Sequence, residues 1–369
     1  MRAKIKATGP LTVADYMKEV LINPASGYYT QQESIGAHGD FVTSPEVSQL
    51  FGEMIAVWIL NEWHKVGSPK PMHLVELGPG KGTLMEDILR VFEHLKQLEG
   101  LSIHLVELSR RLQDEQARRL CSEVTAGKGG DQQFAWGTAH AGSCPVYWHH
   151  ALSEVPRDAF TCKSSEGWRE VLIDMDTTKE DSDTFRYIIS RSETPACKVY
   201  SSEFADQREH VEVCLDGGAI MQELALRFEE DGGFLLMADY GHDGTGTDTF
   251  RGFKKHCLHD PLVDPGSADL TADVDFKFLR DSVATNALTF GPVTQKDFLK
   301  QLGIECRLEV LLQNPNLTPE AKENLKASVN KLIHPSEMGE RFKFFAVFPK
   351  VLKEHLKRFP VSGFNLQPK

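Results

Sequence analysis

Three observations predict an α/β fold with a doubly wound, Rossmann-like parallel sheet. From residue 73 buried-strand runs alternate with helical patterns, the first strand ends in a glycine-rich turn, and the second ends in an acid. His73-Leu74-Val75-Glu76-Leu77 is the first run and Ile103 to Leu108 the second; Val146-Tyr147-Trp148 supplies a third. The helices between them cover Leu84 to Leu98 and the charged stretch Arg110 to Glu123.

Other elements frame this unit. Residues 11–66 read as a helical N-terminal cap around an irregular aromatic loop, Gly27-Tyr28-Tyr29 to Asp40-Phe41-Val42. Its clearest helix starts with Ser44 at the N-cap, Pro45 at the first helical position and Glu46 in the first turn. Val47, Leu50, Phe51, Met54, Ile55 and Trp58 then follow helical spacing along one face, as a core stripe does. Lys128-Gly129-Gly130-Asp131 marks a surface loop. Between 168 and 216, Glu170 to Asp176, Phe185 to Ser190 and His210 to Asp216 are strand-like with short polar connections, which predicts an antiparallel insertion. A helix near Ala219 to Glu229 leads into a buried strand, Phe234 to Tyr240. Helices Gln295 to Leu302 and Pro319 to Ile333 and a strand Phe344 to Phe348 complete the pattern. The expected division is a cap over 1–66, a main domain over 67–350 with insertions at 168–216 and 304–335, and a tail over 351–369.

Composition narrows the function. A formal net charge of −12 over 369 residues argues against nucleic acid as the main partner and suits one presenting Arg or Lys. No apolar run reaches the roughly 18 residues of a membrane span. The seven cysteines are widely spaced with no C-x-x-C pair, so no metal or redox dithiol is signalled. Arg2, Lys4 and Lys6 give a basic start that is too short for a complete transit peptide.

The chemistry centres on Glu76-Leu77-Gly78-Pro79-Gly80-Lys81-Gly82-Thr83. Glycines after a buried strand let backbone approach a ligand, and the next helix offers free N–H groups. The dinucleotide fingerprint fails because Thr83 stands at the third glycine position, and the phosphate loop fails because Gly82 follows Lys81. An acid followed by G-x-G-x-G is the S-adenosylmethionine form, in which Glu76 and the helix start would hold the zwitterionic end of the cofactor. A purely structural turn stays open as the alternative. Glu107 ends the next strand, where a carboxylate can accept both ribose hydroxyls of an adenosyl group, although nicotinamide-binding folds place an acid there too.

Further motifs carry a family resemblance. Gly39 to Glu46, Val75 to Gly80, Asp239-Tyr240-Gly241-His242, Asp248 to Phe253, His259-Asp260-Pro261, Ala268 to Phe276 and Met338 to Phe342 together resemble the MidA-like family of mitochondrial complex I assembly factors. The resemblance covers nearly the whole chain. It implies a class I S-adenosyl-L-methionine-dependent methyltransferase fold with a helical cap, and arginine methylation of a complex I core subunit in the mitochondrial matrix, needed for complex I assembly. It implies no metal and admits a homodimer. Carried over by motif, the cofactor residues are Glu76, Gly78, Pro79, Gly80, Gly82, Glu107, Thr43 and Ser44, and the catalytic residues Asp239, Tyr240, His259 and Asp260. A guanidinium wants carboxylate acceptors and planar neighbours, which Asp239, Asp260, Asp269, Asp273 and Tyr240 can supply. Each of these also has an ordinary reading as a turn former, and His259 reads as an orienting hydrogen-bond partner rather than a base.

One departure stands out. Family members carry a further strand ending in Glu-Phe-Phe-Asp-x-Leu-Pro after the third. Here Glu154-Val155-Pro156-Arg157-Asp158 runs directly into Ala159 to Lys163 and Gly167-Trp168-Arg169-Glu170. About twenty residues are missing by that comparison, the length of one strand and its connections. No four-residue apolar run lies between Trp148 and Trp168 that could make a buried central strand. The chain therefore resembles a splice variant or incomplete gene model of the enzyme, with impaired or absent activity as the alternative expectation.

Overall fold

The computed structural model describes residues 1–23, 25–31, 43–126, 135–140, 144–149, 158–164, 167–176, 184–203 and 208–364. The loop through Asp40-Phe41-Val42, the Lys128 to Asp131 stretch and the Glu154 to Arg157 junction lie outside them.

The doubly wound sheet is present as two half-sheets. In the first, Met72–Leu77, Leu101–Val106 and Pro145–His149 run parallel in that spatial order, and an antiparallel pair, Ala135–Ala139 and Cys121–Ala126, extends it. In the second, Leu235–His242 lies between the short Val274–Asp275 strand and Phe342–Pro349, with Ala287–Thr294 beyond. One apolar core joins them: Ile103, Leu105 and Trp148 from the first half share it with Phe344, Ala346 and Phe348 from the second. Its centre is aromatic, with Phe298 and Phe344 stacked at 3.9 Å between ring centroids.

The helix expected from Ser44 is two helices. Ser44–Val47 ends where Ser48 turns extended (φ −160°, ψ 134°), and Gln49–Lys65 restarts with the Ser48 hydroxyl accepting from the Leu50 amide at 3.4 Å. Ser48 is thus the cap of the long helix, and Thr43 precedes the short one. The apolar stripe is also wider than one face. Leu50, Trp58, Ile59 and Leu60 are all buried, because this helix packs against Thr83–His94 as well as the core aromatics.

The antiparallel sheet takes in more chain than the expected 168–216. Gly167–Met175, Phe185–Ile189 and His210–Cys214 match the expected strands, and Leu11–Thr12 and Asp158–Ser164 join them. The strand at His210 stops at Cys214, whose thiol accepts from the Gly217 amide at 3.1 Å and caps the helix Leu215–Asp231. Val13, Tyr16, Val20 and Leu21 of the helix Val13–Ile22 bury against Ile173, Leu262 and Leu270.

Between the two half-sheets, the described residues include no strand. Asp158–Ser164 does form a strand, but it pairs with Gly167–Met175 and His210–Cys214 in the antiparallel sheet. Met72–Leu77 and Leu235–His242 are left as edges along most of their length, with Val75 54% and Leu77 44% exposed. Ala238 and Asp239 are exposed too. Interior strands of parallel sheets are normally buried on both faces, so exposure of this kind marks an absent neighbour.

Candidate cofactor and acceptor site

The glycine-rich turn has the backbone its sequence requires. Gly78, Gly80 and Gly82 all have positive φ (65°, 55° and 79°), and Gly82 caps the helix Thr83–His94 from the left-handed region. A Cβ on Gly78 would meet no protein atom within 4 Å, so the space beside the turn is open to a ligand. Beneath it sits the Glu76 carboxylate. Burial pushes its pKa up to about 7, and its Oε2 is shut from water with no hydrogen-bond partner among the described residues. A buried carboxylate without a partner is costly, and a cationic ligand group would satisfy it.

Glu107 follows the strand Leu101–Val106 and faces the same turn. Its Oε1 accepts from the Ser109 amide at 2.7 Å. Burial raises its pKa, opposed by the Ser109 amide and Gln116. Gln116 is the residue that sequence reasoning missed. Fully buried, it donates to the Gly80 carbonyl at 2.7 Å and the Glu107 carboxylate at 3.4 Å, and accepts from the Trp148 indole at 2.9 Å. One amide therefore locks turn, acid and third strand together. The available signal was a polar residue in an apolar stripe, since Leu112, Gln116 and Leu120 follow helical spacing and all are buried.

Thr43 and Ser44 reach the turn only indirectly. The Thr83 hydroxyl, at the start of the turn's helix, donates to Glu46 and so ties Ser44–Val47 to the loop. The Ser44 hydroxyl is committed to Gln295 at 3.0 Å.

At the other half-sheet, Asp239 and Tyr240 end the strand Leu235–His242 together. Asp239 accepts from the Tyr240 amide at 2.7 Å, and Tyr240 packs on Phe342 at 4.0 Å between centroids. Burial pushes the Tyr240 phenol up, keeping it protonated. Asp273 is paired with Arg251 at 2.6 Å, and Asp269 accepts from the Tyr29 hydroxyl at 2.8 Å. His259 and Asp260 each have a local partner. The His259 ring donates to the Val263 carbonyl at 2.9 Å, and Asp260 accepts from the Leu262 amide at 2.9 Å, a local turn built at the end of Cys257–His259. A cavity of about 620 Å³ opens near Pro71, Gly100, His73 and Ser102, where the first two parallel strands begin, away from the turn at their C-terminal ends. Doubly wound sheets bind ligands at that C-terminal edge. Among the described residues no group of three or more acids, histidines or cysteines could hold a metal ion, and no helix is long and apolar enough to cross a membrane.

Comparison with known proteins decides the family. A family model of S-adenosyl-L-methionine-dependent methyltransferases matches residues 54–293. The protein arginine methyltransferase NDUFAF7 of Danio rerio is 44% identical over 99% of this chain and 91% of its own. The human mitochondrial protein of that name is 45% identical over 94% of this chain and 82% of its own, and the Drosophila melanogaster homologue 45% over 99% and 87%.

This chain belongs to that methyltransferase family.

The cofactor is therefore S-adenosyl-L-methionine, and the unpartnered Glu76, the open turn and Glu107 fit it. Two crystal structures of a Burkholderia thailandensis protein share the fold, with TM-scores of 0.70 and 0.69 at 25% and 24% identity, each covering 94% of this chain and 90% of the other; one is bound to S-adenosyl-homocysteine. The relatives are named as mitochondrial proteins and arginine methyltransferases, an activity whose substrate is a protein. The Danio rerio match spans 389 positions against a chain of 369, so at least 20 positions of the relative face a gap here.

Proposed function

We propose that this chain methylates an arginine of a complex I core subunit in the mitochondrial matrix, in support of complex I assembly. The observation that carries the reading is the unpartnered Glu76 carboxylate beneath the open Gly78-Pro79-Gly80 turn, with Glu107 one strand away. Glu76 would hold the ammonium of the methionine end, the Gly78, Gly80 and Gly82 backbone would face its polar groups, and Glu107 would take the ribose hydroxyls. Pro79 stiffens the turn. When bound, the cofactor supplies an electrophilic methyl group on a sulfonium.

Asp239 and Tyr240 would receive the acceptor guanidinium, one as carboxylate and one as planar neighbour. Asp239, exposed at the end of its strand and accepting from the Tyr240 amide, would orient the attacking nitrogen and take the proton it releases. His259 and Asp260 would shape the loop beside this end rather than touch the acceptor. Thr43 and Ser44 would act on the turn through Glu46. The division into a cap over 1–66, a methyltransferase domain over 67–350 with its two insertions, and a tail over 351–369 belongs to the same reading, as does the homodimer.

The gap between the half-sheets favours a second reading, an impaired enzyme that keeps its cofactor. Calorimetric titration with S-adenosylmethionine and methylation of an arginine peptide from a complex I core subunit separate the two. Binding with turnover supports the first reading, and binding without turnover the second. Binding of neither overturns both.

A further inference from the structure

Glu212 is a buried acid, 4% exposed, on the strand His210–Cys214 of the antiparallel sheet, far in sequence from every motif of the cofactor turn. Its carboxylate accepts from the Thr249 amide at 2.8 Å, the Phe250 amide at 3.1 Å and the Thr249 hydroxyl. That hydroxyl in turn accepts from the Asp273 amide at 2.8 Å. Asp273 holds the Arg251 guanidinium at 2.6 Å, and the Thr249 carbonyl takes its other nitrogen at 2.6 Å. The guanidinium then lies 6.0 Å from the Tyr240 ring centroid and 5.7 Å from that of Phe253. Both members of the ion pair are mostly buried, at 15% and 20% side-chain exposure.

A planar guanidinium gripped at two nitrogens has one orientation, and this one is presented to a Tyr240 ring that also packs on Phe342 at 4.0 Å and meets the Arg341 guanidinium at 5.4 Å. We propose that Arg251 is a positioning residue for methyl transfer, aimed at Tyr240 by Asp273 and Thr249 and set by Glu212 of the antiparallel sheet. This rests on the reading of Tyr240 as part of the acceptor end. It gives the antiparallel sheet a task in the reaction: a hydrogen-bonded chain runs from its core to the ring beside which the acceptor docks. Both terminal nitrogens of Arg251 are held, while its buried Nε has no hydrogen-bond partner among the described residues.

The test uses the whole chain with a single fluorine label on the Tyr240 ring, read by fluorine magnetic resonance. S-adenosylhomocysteine should shift the label in the unaltered chain. Arg251→Lys keeps the charge but loses the fork, and Thr249→Val removes the hydroxyl link; each should displace or broaden the resonance beyond its linewidth. Glu212→Gln should do the same, and Thr249→Ser should restore it. Affinity for S-adenosylhomocysteine should stay unchanged throughout, because the glycine turn is untouched. Once turnover is measurable, Arg251→Lys should lower kcat about tenfold with the KM for cofactor held. A resonance indifferent to both Thr249→Val and Glu212→Gln overturns the proposal. A label that responds to the variants but ignores S-adenosylhomocysteine overturns instead the placing of Tyr240 at the methyl end, so the two failures are told apart.

Discussion

The two half-sheets meet opposite fates in the same chain. Around the glycine turn, Gln116 bridges the Gly80 carbonyl, Glu107 and Trp148, and parallel partners pair Met72–Leu77 in full on one side. Around Asp239 and Tyr240, the strand leans on Phe342–Pro349 and meets Val274–Asp275 only at Gly241 and His242. The cofactor end is a strand, a turn and a helix consecutive in sequence, so it forms from one short stretch of chain. The end at Asp239 and Tyr240, proposed to take the acceptor, is assembled from segments scattered between Tyr29 and Phe342, and its position relative to the turn depends on an unbroken sheet. Losing an interior strand therefore damages the second far more than the first.

The largest expected effect strikes the intact end. Gly80 has φ 55°, so a β-branched side chain is strained there and also fills ligand space. Gly80→Val should abolish S-adenosylmethionine binding in a calorimetric titration; unchanged affinity would remove the turn from the site.

Nearly as large is the change expected at the damaged end. Inserting a family-type strand with its Glu-Phe-Phe-Asp motif after Arg157 should cover Val75 and Leu77, bring the half-sheets into register and raise methylation of the complex I peptide. Unpaired edge groups that become buried cost about 1–3 kcal/mol each, so cooperative unfolding should sharpen as well. Equal turnover by the two chains would show that the gap is harmless, and the contrast between the halves would collapse.

Glu107→Ala should weaken cofactor binding by about 1–3 kcal/mol, roughly five- to 150-fold, the scale of hydrogen bonds to a charged group. A loss within error would place the ribose elsewhere.

A pH dependence is expected as well. Glu76 titrates at about 7 in the fold against an ordinary 4.5. Its protonated form is thus favoured by folding, so its contribution to the stability of the cofactor-free chain is complete below pH 4.5 and lost as pH rises through about 7. The total is on the order of 3 kcal/mol. Cofactor binding runs the other way, since an ammonium needs the ionised acid: affinity should fall as pH drops below 7, with protons released on binding. Titrations in buffers of different ionisation heat would detect that release, and a flat profile from pH 6 to 8 would mean that Glu76 meets no cation.

Much of the cofactor site was legible because its parts are local. Strand, glycines and helix start follow one another from Glu76 to Thr83, and Glu107 follows the next strand directly, so contiguous chain brings them near one another. The lack of a strand between the half-sheets among the described residues was expected for the same reason, since no apolar run between Trp148 and Trp168 suits one. His259 and Asp260 show the reverse. Their motif raised a chemical role, and the local turn partner that each also has is visible only in the packed hairpin. Ser48 likewise took the cap expected of Ser44, because burial of the long helix on several sides set where it restarts.

By itself, then, the sequence determined the parallel architecture and the glycine-rich turn, properties of contiguous chain where backbone geometry and hydrophobic periodicity act over a few residues. Tertiary structure decided the rest. Gln116 under the turn, Glu46 on Thr83, and the chain from Glu212 through Thr249 and Asp273 to Arg251 join side chains up to 61 positions apart in that last chain, from Glu212 to Asp273. Hydrogen bonds between such residues exist only once packing has excluded water and brought the elements together, so no pattern along the chain announces them.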